Sequence, residues 1–142
     1  MNILNMAELL DADLRNEYKH MNFYLYHSTS LVGLHAEEYK EIFAAEAKSE
    51  MEHVQQFANL LWGLGHQPSC TSNDFPLFTN VRAALQYAHD MEAEVVKNYA
   101  LRIGQCKDLL EPESTWITVF LEDQLAHSRQ DVDRFNRLLR ET

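Results

Sequence analysis

Apolar positions recur at three- and four-residue spacing through four long stretches of the chain, and the recurrence breaks at glycine and proline. Gly33, Gly63, Gly65, Pro68, Pro76 and Pro112 fall between the stretches, and Gly104 lies near the end of one. Periodic segments punctuated in this way predict four helices, over 6–32, 36–64, 79–106 and 113–140. In the first, Leu10, Glu17, Tyr24 and Leu31 repeat every seven residues, with Leu14, Met21, Leu25 and Ser28 as the adjoining stripe. The second carries Phe43, Glu46, Glu50, His53, Phe57, Leu60 and Leu61 on its inward arc. The third lines up Leu85, Ala88, Glu92, Val95, Tyr99 and Ile103 or Arg102, and the fourth Ile117, Phe120, Gln124, His127, Asp131, Phe135 and Leu138.

Each inward stripe is interrupted by polar groups near its middle: Glu17, Glu50 with His53, Glu92, and Gln124 with His127. Connection lengths decide how these levels combine. Gly33 to Ala36 and Lys107 to Pro112 are short, which makes the first and second helices antiparallel neighbours, and likewise the third and fourth. The stretch from Gly65 to Phe78 reaches roughly 45 Å when extended, enough to run the ~42 Å length of a helix and start the third helix at the same end as the second. The expected fold is an all-α four-helix bundle, up-down-down-up, with a long crossover between the second and third helices. No linker or low-complexity run divides it, so residues 1–142 read as a single domain, with the two hairpins as a divergent duplication.

At 142 residues the chain is long enough to bury about two thirds of its unfolded surface without help from disulfides. Cys70 and Cys106 have no Cys-x-x-Cys spacing, which suits a reducing compartment and excludes rubredoxin-type and zinc-ribbon modules. No apolar run approaches the ~20 residues of a membrane span, and no signal-peptide pattern opens the chain, so a cytoplasmic protein is expected. A net charge of -10 argues against nucleic acid as a partner and favours cations.

The central chemistry is Glu50-Met51-Glu52-His53. A carboxylate and an imidazole three residues apart lie one above the other on a helix face, so one rigid element can grip a metal ion with two ligands. Alone this pair is a weak signal. Several carboxylates at one level of an apolar bundle repel strongly unless cations lie between them. Carboxylates and imidazoles without thiolates suit iron or manganese, with zinc a common substitute. His20 and His89 fall three residues from Glu17 and Glu92 and offer extra imidazoles. His27, His35, His66 and His89 are otherwise read as surface or interface groups, and Trp62 and Trp116 as core or subunit contacts.

Glu17 followed by Tyr24-Leu25-Tyr26-His27, then Glu50-Met51-Glu52-His53, Glu92, and Gln124-Leu125-Ala126-His127 together resemble the ferritin-like di-iron carboxylate proteins, bacterioferritins most closely, over nearly the whole chain. The resemblance implies a ferritin-like bundle that binds two iron ions, with Glu17 and Glu92 as terminal ligands, Glu50 as a bridging carboxylate, and His53 and His127 as one imidazole per iron. It implies oxidation of Fe2+ to Fe3+ with dioxygen or peroxide, for storage or detoxification, in a homo-oligomer of at least two chains. Met51 occupies the position that supplies a haem ligand in bacterioferritins, so haem is a further expectation. Gln124 departs from the pattern, which calls for a second bridging Glu. It leaves a charge deficit at the second iron, which Glu46, Glu94 or Glu122 would fill, or Gln124 would ligate through its amide. The chain ends directly after the fourth helix, without the fifth helix of many shell-forming relatives, which makes a dimer or another assembly an expectation beside the cage. Two other readings keep the bundle: a rubrerythrin-like peroxidase or oxidase without a shell, and a non-enzymatic bundle holding one metal ion.

Overall fold

The computed structural model describes residues 1–141 and is all-α: α1 (Ile3–Ser30), α2 (Ala36–Gly63), α3 (Val81–Cys106) and α4 (Glu113–Glu141). Among the described residues there is no β-strand, only an isolated parallel bridge between Val32 and Asn80. No helix among them is long and apolar enough to cross a membrane. The chain divides into two compact units, one of Ala7–Ala84 and the other of Met1–Met6 with the residues from Leu85 onward.

In the first unit α1 and α2 form an antiparallel hairpin. Partners fall in reverse order along it: the Tyr24 ring stands 5.7 Å from Phe43, His20 meets Glu50, Glu17 meets His53, and Asp11 meets His66. The end of α2 explains how the chain turns out of the helix. Gly65 takes a φ of 77°, a left-handed conformation that glycine adopts without steric cost, so that Gly65 N–H bonds Trp62 C=O at 3.0 Å and His66 N–H bonds Leu61 C=O at 2.9 Å. Two carbonyls that the helix would leave open are thereby satisfied.

The crossover then runs along α1 from Asp11 to the end of the helix. Ser69 binds Asp11 through its amide and hydroxyl, Asn73 N–H bonds Arg15 C=O, Phe78 N–H bonds His27, and Val32 N–H bonds Thr79 C=O at 2.9 Å. The crossover therefore delivers the first turn of α3 to the end of α1, the end at which α2 begins, as its length predicts. Asn80 caps that turn, its Oδ1 accepting the Ala83 N–H at 2.9 Å.

This placement corrects one predicted stripe. Leu25 is exposed and Met21 and Ser28 are half-buried, whereas His20, Phe23 and His27 are buried beside the stripe of Leu10, Glu17, Tyr24 and Leu31. Phe75 and Phe78 of the crossover stack on that side of α1, their ring centroids 5.9 and 6.5 Å from Phe23. His27 is likewise not a surface group: it is fully buried, with its Nδ1 2.7 Å from the Phe23 carbonyl. In the second unit, Ser114 Oγ donates to the Cys106 carbonyl at 2.8 Å across the α3–α4 turn. The buried stripe of α4 is Ile117, Leu121, Gln124, Ser128, Asp131, Phe135 and Leu139, one residue round from the predicted Phe120, His127 and Leu138, which are half-buried. Cys106 is buried and Cys70 exposed, and both are free thiols, whereas Trp62 and Trp116 are exposed and belong to no core.

Candidate metal centre

Two short sequences of the same form meet in the α1–α2 hairpin. Glu17-Tyr18-Lys19-His20 on α1 and Glu50-Met51-Glu52-His53 on α2 each place a carboxylate and an imidazole one helical turn apart. Because the helices run in opposite directions, each pair faces the other. Their flanking positions are Leu14, Tyr24, Phe43, Ala47 and Phe57, all buried, so the four polar side chains sit within an apolar seam and are themselves buried.

His53 Nδ1 lies 3.2 Å from Glu50 Oε2 and 3.7 Å from Glu17 Oε2. His20 Nδ1 lies 4.0 Å from the other Glu50 oxygen, Oε1. Ligand atoms of Glu17, Glu50 and His53 all fall within 4.8 Å of one another, a spacing that one ion can share. Burial alone would push the Glu17 carboxyl up. A hydrogen bond shared with Glu50 and the imidazoles of His53 and His20 outweigh burial and hold Glu17 down at about 2. Such a group stays anionic at neutral pH in a seam closed to water, which is the arrangement a cation rewards. Two carboxylates, two imidazoles and no thiolate fit a divalent ion such as iron or manganese.

Glu46, one turn before Glu50 on α2, is buried as well, whereas Glu94 and Glu122, the other acids expected to offset Gln124, are exposed. Met51 is 49% exposed on the outward side of α2, unlike its neighbour Glu50. In the second unit Glu92 is fully buried in the stripe of Leu85, Ala88, Val95 and Tyr99, and Gln124 is buried on α4. The His127 side chain is 38% exposed, with Nε2 3.8 Å from Asp131 Oδ2. His89 is half-buried and turns to the Asp90 carboxylate at 2.9 Å. Asp123 is exposed, as expected for a residue about 100° round the helix from Gln124.

Residues 7–142 match the family model of the ferritin-like domain. The chain belongs to the ferritin-like family. Its structure is similar to that of a ferritin-like di-iron carboxylate protein from Bacillus anthracis, at 27% identity and a TM-score of 0.88, covering 96% of both chains. The bacterioferritin BfrA of Mycobacterium tuberculosis superposes with a TM-score of 0.86 at 21% identity, covering 96% of this chain and 83% of that one. The Desulfovibrio desulfuricans bacterioferritin, whose structure describes a di-iron site, gives 0.86 at 17% identity over 96% of this chain and 79% of that one. No curated protein matches the chain. These likenesses establish the fold as the ferritin-like four-helix bundle with the long second-to-third-helix crossover.

Proposed function

We propose that the chain binds two ferrous ions and oxidises them to Fe3+, through the ligand set that the family pattern assigns: Glu17, Glu50 and His53 on α1 and α2, and Glu92, Gln124 and His127 on α3 and α4. The observation that carries this reading is the buried junction of Glu17, Glu50 and His53, three donors within 4.8 Å of one another in an apolar seam. Iron here is the substrate. Each Fe2+ gives up one electron, and two together supply the electrons that reduce dioxygen to peroxide or peroxide to water. The protein groups hold the ions, balance their charge and keep bulk water from the seam. The resulting Fe3+ would be stored or detoxified.

A homo-oligomer fits this reading. Leu25, Met51 and Trp62 are exposed on α1 and α2, and a structurally similar thioferritin from Bacteroides fragilis is dodecameric. The mass in size-exclusion chromatography separates a shell from a smaller rubrerythrin-like oxidase. Haem at Met51 would need a partner chain to close over an exposed side chain, and a Soret band after loading tests it.

Anaerobic Fe2+ titration tests the activity. Two equivalents per chain, followed by oxygen-dependent ferric absorbance that Glu50→Ala abolishes, are the expected results. Gln124 favours a second reading, in which the bundle holds one ion without turnover, since the amide adds no negative charge for a second cation. One equivalent with no ferric absorbance would support it.

A further inference from the structure

A cavity of about 350 Å³ lies within the second unit, where the start of α1 meets the α3–α4 turn. Met1, Ile3, Leu109 and Leu110 give it apolar walls, and its polar groups come from Asn2, Glu111 and Glu113. Leu109 is buried, whereas Leu110 is 88% exposed, a large apolar side chain left to water beside the opening. No lysine, arginine or histidine lines the cavity. At about 30 Å³ for each water-sized heavy atom there is room for roughly a dozen, the small end of the range for ligand sites.

The polar groups are not equivalent. Asn2 Oδ1 accepts the Asn5 N–H at 2.8 Å and is spent on the start of α1. Thr115 takes both Glu111 oxygens, Oε2 through its hydroxyl and Oε1 through its N–H at 2.8 Å, and these bonds hold that carboxyl below the usual 4.5. Ser114 N–H bonds Leu110 C=O at 3.1 Å and Trp116 N–H bonds Pro112 C=O at 3.0 Å. With these three donors of the first turn of α4 occupied, the turn is a poor site for an anion. Glu113 differs from its neighbours. Its Oε2 is buried and has no hydrogen-bond partner among the described residues. A carboxylate oxygen shut off from water costs free energy until a donor reaches it.

We propose that this cavity binds a small organic ammonium ion, a protonated amine on an apolar body, whose N–H donates to Glu113 Oε2 while the body lies against Ile3, Leu109 and Leu110. The charged head answers the carboxylate oxygen that lacks a donor, and Glu111 adds a second negative charge at the same turn. The hydrocarbon takes the exposed face of Leu110 out of water. A hydrated metal ion would meet the charge and leave the apolar walls wet. An uncharged apolar molecule would cover the walls and leave Glu113 unpaired. Once bound, the ammonium ion ties the start of α1 to the α3–α4 turn. The cavity shares no residue with the candidate metal centre, so the inference stands or falls apart from the iron reading.

Calorimetric titration of the full chain with hexylammonium chloride, at pH 7 and constant ionic strength, tests the proposal. Hexan-1-ol serves as the control with the body and no charge, and ethylammonium as the control with the charge and little body. Hexylammonium should bind one equivalent per chain, at least about tenfold more tightly than either control. Hydrogen-exchange mass spectrometry should show protection confined to the start of α1 and the α3–α4 turn. Glu113→Gln should leave the circular dichroism unchanged and bring hexylammonium and hexan-1-ol within about twofold of each other, because the amide keeps the shape and loses the charge. The proposal is overturned by absence of hexylammonium binding, by equal affinity for hexylammonium and hexan-1-ol in the wild type, by protection spread over other segments, or by a preference that Glu113→Gln retains. Should Glu113→Gln fail to fold, the wild-type selectivity and the map of protected segments decide alone.

Discussion

Phe78 donates its backbone N–H to His27 Nε2 at 3.0 Å, across 51 positions of sequence. With Nε2 accepting, the proton of the neutral ring sits on Nδ1 and is donated to the Phe23 carbonyl at 2.7 Å. The imidazole thus has one tautomer and both nitrogens used, inside a cage of Phe23, Phe43, Phe75 and Phe78. His27→Phe keeps the volume and leaves the Phe78 N–H without its acceptor, so it should cost about 1–3 kcal/mol in urea unfolding. Stability also acquires a pH dependence. Burial holds the His27 pKa below its ordinary 6.5, against the opposing effect of the Phe23 hydrogen bond. Below pH 6.5 the unfolded chain binds a proton that the folded chain resists, so stability falls as pH drops from 6.5 towards the lowered folded value. The wild type should lose stability across that window and His27→Phe should lose less. Parallel pH profiles of the two proteins would rule this out.

Asp11 fixes the other end of the crossover. Its Oδ1 accepts the Ser69 N–H at 2.8 Å, and its Oδ2 accepts both the Ser69 hydroxyl and Arg15 Nη1 at 2.6 Å. Burial acts to raise its pKa, but the Ser69 bonds, Arg15 and His66 together bring it below 3.8. This contribution to stability is complete above pH 3.8 and is lost as pH falls through the lowered folded value. Asp11→Asn should cost about 1–2 kcal/mol at neutral pH. The variant's acid limb should also be flatter below about pH 4. Equal neutral-pH stability of the two proteins in urea would count against the staple.

Helix number, order and the antiparallel α1–α2 hairpin were legible because they depend on local periodicity and on loop length. The ends of α2 agree with the sequence reading within one residue, since glycines mark them, whereas α3 begins at Val81 rather than 79 because Asn80 caps it with a side chain that polarity alone does not single out. The Glu17, Glu50 and His53 junction was legible in the same way, from two helix faces set at one height. What could not be read was long-range: which side of α1 the crossover covers. That choice buries Phe23 and His27, and its partners, Phe75 and Phe78, lie some fifty residues on. The aromatic spacing of Phe75 and Phe78 beside a proline was the available signal.

Two glycines separate backbone strain from helix propensity. Gly65 has a φ of 77° and Gly104 lies in the last turns of α3, and a Cβ at either would meet no atom within 4 Å. Steric crowding is therefore absent from both comparisons. Gly65→Ala should destabilise by about 1 kcal/mol, because alanine is strained in the left-handed region. Gly104→Ala should stabilise by up to about 1 kcal/mol, through the lower backbone entropy of the unfolded chain. Thermal unfolding of the pair checks both signs, and a stabilised Gly65→Ala would contradict the capping geometry.

Gln124 offers a test in which the two states of the protein respond in opposite directions. Its side chain is buried in the stripe of α4, between Leu121 and Ser128. Gln124→Glu keeps the shape and introduces a carboxylate that must be desolvated, so the metal-free variant should be less stable than wild type at pH 7 by about 1–3 kcal/mol. In the proposed centre the same charge supplies what the second divalent ion lacks. The variant should therefore bind the second equivalent more tightly, and saturating Fe2+ under anaerobic conditions should raise its melting temperature by more than that of the wild type, because a ligand stabilises in proportion to the logarithm of its concentration over Kd. Calorimetry with and without Fe2+ measures both effects. A variant destabilised in both states would show that residue 124 lies outside the reach of the metal, and the account of the charge deficit would then fail.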